Sequence, residues 1–415
     1  MPQDEPPKYS ARVNDSCLHA LRRDNAEREP VRLALKLSRM AHDPFAFFRG
    51  SCAHFYRQLP EGPLFRDAPR VWACGDLHLE NLGSYKGDNH QVYFDINDFD
   101  EALLAPASWD LVRVLCSVFV AKDVLGLDPL RARVLGALLL QSYTKALSLG
   151  TARWIERETA KPPVQDLLIR VRTRDARSLL DARTTGRGRA RRIRIDGKKA
   201  LAASPAQIER VTKGLLARGP LLGDLGPCEV LDVARRIAGT GSLGLERYVV
   251  LMRSTAKRSD GRAHLLDLKA SYAPCALHAD ALATLQPPWA HAAERIARVQ
   301  QRMQAIPMAW LEPLVIGAQP FVLKRLLPSE DRIALASLAT KPAQLELLLQ
   351  NVGQCLAWAQ LRSSGRGGAD MADALIAYGR RSAAHKPLLV LAERAAGQVL
   401  RDYAVFAAAH RAGAF

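Results

Sequence analysis

Apolar positions recur at three- and four-residue spacing from Val31 to Leu59, interrupted by Asp43-Pro44, and this pattern predicts two helices. Residues 1–30 are polar and Pro-bearing and read as a loose arm leading into them. Val71-Trp-Ala-Cys74 and Gln91-Val-Tyr-Phe-Asp-Ile96 are short apolar runs that read as strands, and the loop between them is crowded with groups capable of chemistry. Periodic apolar stretches from Trp109 to Leu149 predict two further helices, with another over 206–217. The texture then changes. Val233-Ala-Arg-Arg-Ile-Ala, Arg247-Tyr-Val-Val-Leu-Met252 and His264-Leu-Leu-Asp-Leu-Lys269 read as strands, followed by a helix over about 288–305 and by strands at Val315-Ile and Gln319 to Leu326. From Pro342 onward the pattern is helical again. The layout is a mostly helical first part, a five-strand-plus-helix middle and a helical tail, without internal repeat or low-complexity tract.

Composition narrows this picture. The 415 residues are 48% apolar, enough for a substantial core and too many for a disordered chain. No apolar run approaches the roughly 18 uncharged residues a membrane helix needs, and Met1-Pro-Gln-Asp-Glu lacks the basic-then-apolar pattern of a secretory signal, so a cytoplasmic protein without membrane contact is expected. Seven scattered cysteines with no C-x-x-C spacing encode neither a zinc ribbon nor a thioredoxin-type site. The net charge is +17, and Ile169 to Lys199 alone carries twelve Lys or Arg against three Asp. Asp196-Gly197 is a type I′ turn signal between Ile193/Ile195 and Ala200/Leu201, which predicts a short basic hairpin. Residues 187–199 are either a cradle for a polyanion partner or a solvated Arg-rich surface without interleaved aromatics.

Gly239-Thr-Gly-Ser-Leu-Gly244 is a complete G-x-G-x-x-G. A dinucleotide fingerprint needs a helix at the third glycine, yet the continuation Leu-Glu-Arg-Tyr-Val-Val-Leu-Met is strand-forming. A strand–loop–strand hairpin is how protein kinases cover nucleotide phosphates, with Gly239, Gly241, Ser242 and Gly244 letting backbone N–H groups approach the oxygens. Lys269 ends the next strand, where its ammonium can hold phosphates, and Glu294 on the following helix is the nearest carboxylate to orient it. An ordinary glycine hairpin and a snorkelling strand-end lysine are the plainer alternatives.

Asp76 and Asn81 stand five apart in Gly75-Asp-Leu-His-Leu-Glu-Asn81, the D-x-x-x-x-N spacing of kinase catalytic loops. There the aspartate accepts a hydroxyl proton and the asparagine reaches a metal ion. Asp98, in Asn97-Asp-Phe-Asp100 after an apolar strand, has the setting of the aspartate that chelates Mg²⁺ between phosphates. His78 lies where a kinase lysine would neutralise the moving phosphoryl group. Gly75-Asp-Leu-His78 with Gly87-Asp-Asn-His90 also hints at a binuclear metallophosphoesterase, but motifs this close leave no room for the intervening strand–helix units of such a site.

Together these stretches, with Pro106-Ala-Ser-Trp-Asp-Leu-Val-Arg113, resemble the aminoglycoside-phosphotransferase and choline-kinase branch of the kinase-like fold. The resemblance implies Asp76 as base, Asn81 and Asp98 as metal ligands and Asp110 as a structural anchor, with Cys74 where that branch has a histidine. Over roughly 35–380 the chain also resembles the bacterial domain-of-unknown-function family 2252, through Arg39-Met…Pro44-Phe-Ala-Phe-Phe-Arg-Gly50, Asp95-Ile-Asn-Asp-Phe-Asp-Glu101, Asp232 to Gly244 and Leu268-Lys269; Gln360 stands in place of a histidine in a late L-A-x-x-H-A-R stretch. The motif order is inverted relative to a kinase, since the catalytic and metal loops precede the glycine-rich loop and lysine. An α+β, two-lobed, circularly permuted kinase-like fold follows as the expectation. It comprises an arm (1–30), a large-lobe part (31–160), a basic insertion (161–227), a small sheet lobe (228–330) and the helical remainder (331–415). The expected activity is ATP- and Mg²⁺-dependent phosphoryl transfer to an unidentified small-molecule or protein acceptor. The alternatives are AMP transfer on the same fold and a non-catalytic nucleotide-binding module.

Overall fold

The computed structural model describes residues 17–174, 176–218, 227–256, 263–277, 280–326 and 332–414. The polar arm therefore falls outside the described residues except for its end, where α1 (Cys17–Asp24) forms. The helix pattern after it is cut by local chemistry. Glu29 caps α2 (Pro30–His42) by accepting from the N–H groups of Val31 and Arg32. Asp43 then closes α2 and caps α3 (Pro44–Gly50) through the Ala46 N–H at 2.8 Å. Proline at the first helical position has no N–H to lose, so Asp43-Pro44 restarts a helix as readily as it stops one. A third helix, α4 (Cys52–Arg57), and a single turn, α5 (Pro63–Arg66), were not separately evident in the periodicity.

β1 (Arg70–Ala73) leads into the polar loop, β2 (Leu82–Lys86) and β3 (Val92–Ile96) form a hairpin, and β4 (Leu103–Pro106) returns antiparallel to β1. The buried helix α6 (Ser108–Val120) and the long α7 (Pro129–Leu149) follow, and β5 (Ile155–Glu156) adds to the edge of β3. The basic segment holds α8 (Val164–Thr173), α9 (Ala176–Arg183), the short strands β6 (Thr184–Thr185), β7 (Arg192–Ile193) and β8 (Ala200–Ala202), and α10 (Pro205–Ala217).

The expected 187–199 hairpin is different in structure. Asp196 makes its turn, accepting the N–H groups of Lys198, Lys199 and Ala200, with Gly197 at φ +70°. The flanking strands do not pair with each other: β7 pairs with β6, and β8 pairs with β9 (Cys228–Arg236). Local turn chemistry was legible, but strand partners are chosen by tertiary burial.

β9 is followed by β10 (Arg247–Ser254), β11 (Ala263–Ala270), a turn α11 (Asp280–Ala283), α12 (Ala292–Met303), β12 (Glu312–Ile316) and β13 (Gln319–Arg325). They build an antiparallel sheet ordered β12-β13-β11-β10-β9-β8. Alternation assigns its faces. Tyr248, Val250, Met252, Leu266 and Leu268 meet Val211 and Leu215 of α10, whereas Val249, Leu251 and Leu265 meet Leu180, Ile193 and Ala200. The basic segment thus belongs to this sheet, covering both its sides.

The tail, α13 (Pro342–Ser363), α14 (Ala372–Arg380) and α15 (Lys386–Arg411), packs against α7 and α6, so the first and last parts of the chain make one helical body. Helix α12 lies between that body and the sheet, touching α13, β12 and β13. No described helix is long and apolar enough to cross a membrane.

At the α13–α7 crossing, a Cβ on Gly353 would stand 2.4 Å from the Leu139 carbonyl oxygen, so only hydrogen fits there. Gly353→Leu should cost about 3 kcal/mol or more in urea unfolding. Gly397 in α15 has nothing closer than 3.6 Å to such a Cβ, and Gly397→Ala should stabilise by up to about 1 kcal/mol in the same assay.

Candidate active site

The loop after β1 is fixed from beneath. Asp110, in the first turn of α6, accepts the N–H groups of Cys74 (2.7 Å) and Gly75 (3.0 Å). Gly75 has φ +82°, and a Cβ there would lie 2.0 Å from the Glu101 carbonyl oxygen. The loop also laces itself. His78 Nδ1 accepts the Glu80 N–H at 3.2 Å, and Asn81 Nδ2 donates to the Asp76 carbonyl at 2.5 Å. With Nδ1 accepting, the neutral imidazole carries its proton on Nε2.

The Asp76 carboxylate meets Arg113 of α6, whose Nε donates to Oδ1 at 2.8 Å and whose Nη2 contacts the same oxygen. Oδ2 lies outside this pair. Arg113 is fully buried, donates to the Phe48 carbonyl and lies over the rings of Phe48 and Phe55.

The β2–β3 hairpin delivers the second loop. Asn97 receives no partner at its buried Oδ1, while its Nδ2 donates to the Ser84 carbonyl at 3.1 Å. Asp98 lines the same cavity, and Asp100 forms an ion pair with Lys269 from β11. Glu294, expected to orient Lys269, instead caps its own helix by accepting the Ala290 N–H at 3.0 Å. Its neighbour Arg295 does the joining, donating to the carbonyls of Asp100 (2.7 Å) and Tyr272 (2.9 Å).

Between β9 and β10 the glycine-rich segment forms the anticipated loop, with Gly239 at φ +73° and Gly244 at φ +88°. Arg28, Arg32 and Arg39 donate to the carbonyls of Leu243, Leu245 and Gly239 and thereby hold the loop against α2. Gly239, Gly241 and Ser242 line the cavity; Gly244 does not, and serves by leaving space for Arg28, 2.8 Å from where a Cβ would stand.

Asp76, His78, Asn81, Asp98, Lys269 and the glycine loop thus surround one cavity of about 210 Å³. The Gly87–His90 turn is not among its lining residues. A family model of uncharacterized proteins conserved in bacteria, DUF2252, matches residues 28–409. The chain belongs to DUF2252. No curated protein and no solved structure matches it.

In this DUF2252 chain burial governs the electrostatics. It raises the Asp76 carboxyl to about 6 against the opposing charge of Arg113. It also raises Asp110 to about 6 in spite of the two backbone N–H groups. Burial, aided by Arg49, Arg113 and Arg332, keeps His78 well below its ordinary value, hence neutral. His78 therefore does not supply the positive charge foreseen for it. Burial favours a neutral Asp98 too, but Lys269, Lys324 and Arg332 outweigh it and hold the group anionic.

Some residues of the site escaped sequence reasoning, Arg113 behind the cavity wall and Lys36 on it. Arg113 sat inside a quoted motif without a role. Arg49, which in sequence is either the end of a core-facing helix or a phosphate or substrate contact, lines the cavity, pairs with Glu80 and keeps a buried Nε without a partner. Lys36 donates to Asn25 Oδ1 at 2.7 Å, and burial with Arg28 nearby brings its ammonium down to about 7. It falls in helical step with Leu33, Leu37 and Met40, and a lysine on an apolar face was the available signal.

Removing one partner of a buried ion pair strands the other charge. Arg113→Met should therefore cost about 3 kcal/mol or more in chemical unfolding, and adding Asp76→Asn should recover part of that loss.

Proposed function

We propose that this DUF2252 protein is a phosphotransferase that uses ATP and Mg²⁺, built on a circularly permuted kinase-like fold. One observation carries the reading: Lys269 and the glycine-rich loop face Asp76, Asn81 and Asp98 across a single cavity, although the two sets lie far apart in sequence. The topology supports it. Three strands, a helix and two strands (β9-β10-β11-α12-β12-β13) form a sheet with the last two strands beside β11, and the glycine loop joins the first two. The Arg22 guanidinium donates to the Ala414 carbonyl at 2.7 Å, so the ends of the described chain adjoin, as circular permutation requires.

The donor set suits a hard divalent cation. Asp98 is an anionic carboxylate, Asn81 uses its amide nitrogen on the Asp76 carbonyl, and Asn97 Oδ1 is a buried oxygen without a partner. Asp98 and Asn81 would hold Mg²⁺, with Asn97 beside them. When bound, such an ion neutralises charge on the transferring phosphoryl group.

Lys269, fixed by Asp100, sits beneath the loop to hold donor phosphates. The free Oδ2 of Asp76 accepts the acceptor's hydroxyl proton, while Arg113 fixes the direction of that carboxylate. Arg49 and Arg332 take the place once assigned to His78 as the cations near the moving group. The Arg113–Asp76 pair also favours the second reading, a nucleotide-binding module, because an ion-paired carboxylate is a weaker base. Turnover separates the two.

Incubation with γ-labelled ATP, Mg²⁺ and cell extract should label an acceptor with wild type. Asp98→Ala and Lys269→Met should lower labelling at least a hundredfold, with unfolding midpoints measured to show that both variants fold. Equal labelling by all three proteins would defeat the proposal; nucleotide binding without turnover in the parent would favour the module. Because Asp76 acts only when deprotonated and its carboxyl lies at about 6, the rate should fall as pH drops through about 6 and level off above it, as a pH–rate profile would record.

A further inference from the structure

Aromatic bases are bound between flat apolar surfaces, whereas phosphate chains are bound by cations and N–H donors. The sheet face beside the glycine loop is rich in the second. Two residues before Lys269 on the same face stands Asp267, 1% exposed. It is bound by Arg236 (Nη1 to Oδ2, 2.6 Å) and Arg247 (Nε to Oδ1, 2.8 Å), with Lys324 opposite it on β13. The apolar remainder of this face, Val249, Leu251 and Leu265, is covered by Leu180, Ile193 and Ala200. The apolar side chains that reach the cavities offer little surface to a base: Ile193, Ile237, Val249 and Leu326 are each 8% exposed or less, and Tyr272 on the first cavity's wall is a single ring on which any base can stack without selection.

A second cavity, of about 330 Å³, adjoins the first. Its floor is apolar (Ile193, Ile237, Val249 and Leu326), and Arg39, Arg183, Arg194, Lys198 and Lys199 line it with Asp196 as the one carboxylate among the described residues. It shares Arg236, Ala238 and Gly239 with the first, so the glycine loop is the wall between a catalytic cavity and a cationic one.

Resting on the phosphotransferase reading, we propose that the donor is a linear phosphoanhydride chain read through its phosphates alone, extending from Lys269 past the glycine loop into the Arg/Lys cavity. Inorganic polyphosphate and nucleoside polyphosphates both present this chemistry. In the transfer, the acceptor oxygen bonds to the terminal phosphorus and the bridging P–O bond breaks. The chain, one phosphate shorter, leaves with the electron pair, and the acceptor's proton passes to Asp76.

The test uses the full chain with Mg²⁺ and isothermal calorimetry against ATP, GTP, CTP, inorganic tripolyphosphate and a polyphosphate of roughly fifteen units, a chain long enough for many simultaneous charge contacts. The three nucleotides should bind within threefold of one another, and the long chain at least tenfold more tightly than tripolyphosphate. Lys198→Glu/Lys199→Glu should reduce that chain-length advantage below threefold. In turnover, ADP release or polyphosphate shortening names the source. A tenfold preference for ATP over GTP and CTP would overturn the inference while leaving phosphoryl transfer standing, as would loss of the chain-length advantage in wild type. Duplex DNA displacing the long chain at equal phosphate concentration would overturn it in favour of a general polyanion surface. Failure of every donor to bind would instead bring down the phosphotransferase reading itself.

Discussion

The ion pair between Lys269 and Asp100 is the constraint on which the rest of the site depends. Lys269 is buried near the end of β11, and a buried ammonium without a counter-charge would lose its proton or unfold its surroundings. Burial lowers the Lys269 ammonium, and the field of Asp98 opposes that fall. The pair therefore forces the loop after β3 against β11. That closure leaves Asp98 anionic and facing the cavity, next to a carboxylate already neutralised. Arg295 repeats the tie through backbone carbonyls, so the relation between helical body and sheet does not rest on one flexible lysine.

The cavity so formed is densely charged, with eight cationic and six acidic side chains among the described residues of its wall. Such an arrangement is costly unless each charge is paired, and much of it is: Arg113 with Asp76, Arg49 with Glu80, Arg236 and Arg247 with Asp267. Dipoles and charges held in advance need not reorganise around a polyanionic ligand, which is the physical advantage of a site built this way. The glycine-rich loop is part of the same economy. Its carbonyls are held by arginines of the first helices, which leaves its opposite edge toward the cavity.

Much of this was legible in the residues. The longer helices followed from periodicity, and β9 to β13 with α12 lie where β-branched runs, glycines and a helical repeat placed them, whereas β2 and β4 lie in stretches that read as loop and the short α4 and α5 gave no separate signal. Asp76, Asn81, Asp98, Lys269 and three members of the glycine loop were picked out by residue type and spacing, and they share one cavity. Two roles were misassigned for an instructive reason. Glu294 and Asp100 are both carboxylates near Lys269 in the fold's logic, and only packing decides which one reaches the amine. His78 carries a group that can be charged in water, but burial among arginines keeps it neutral.

Spacing and composition by themselves determined where the longer helices and most strands of the large sheet lie, which loops carry chemistry and where the positive charge concentrates, because these depend on neighbours within a few residues. Membership of one cavity, the partner of each charge and the protonation of His78 and Asp76 were decided by the tertiary structure. Burial and pairing act through space, over distances set by packing, and a one-dimensional pattern does not encode which of several suitable side chains arrives first. The basic stretch shows the division most plainly. Its charge and its Asp196-Gly197 turn were visible in the chain, whereas only folding put it onto the sheet and made it the wall of a second cavity.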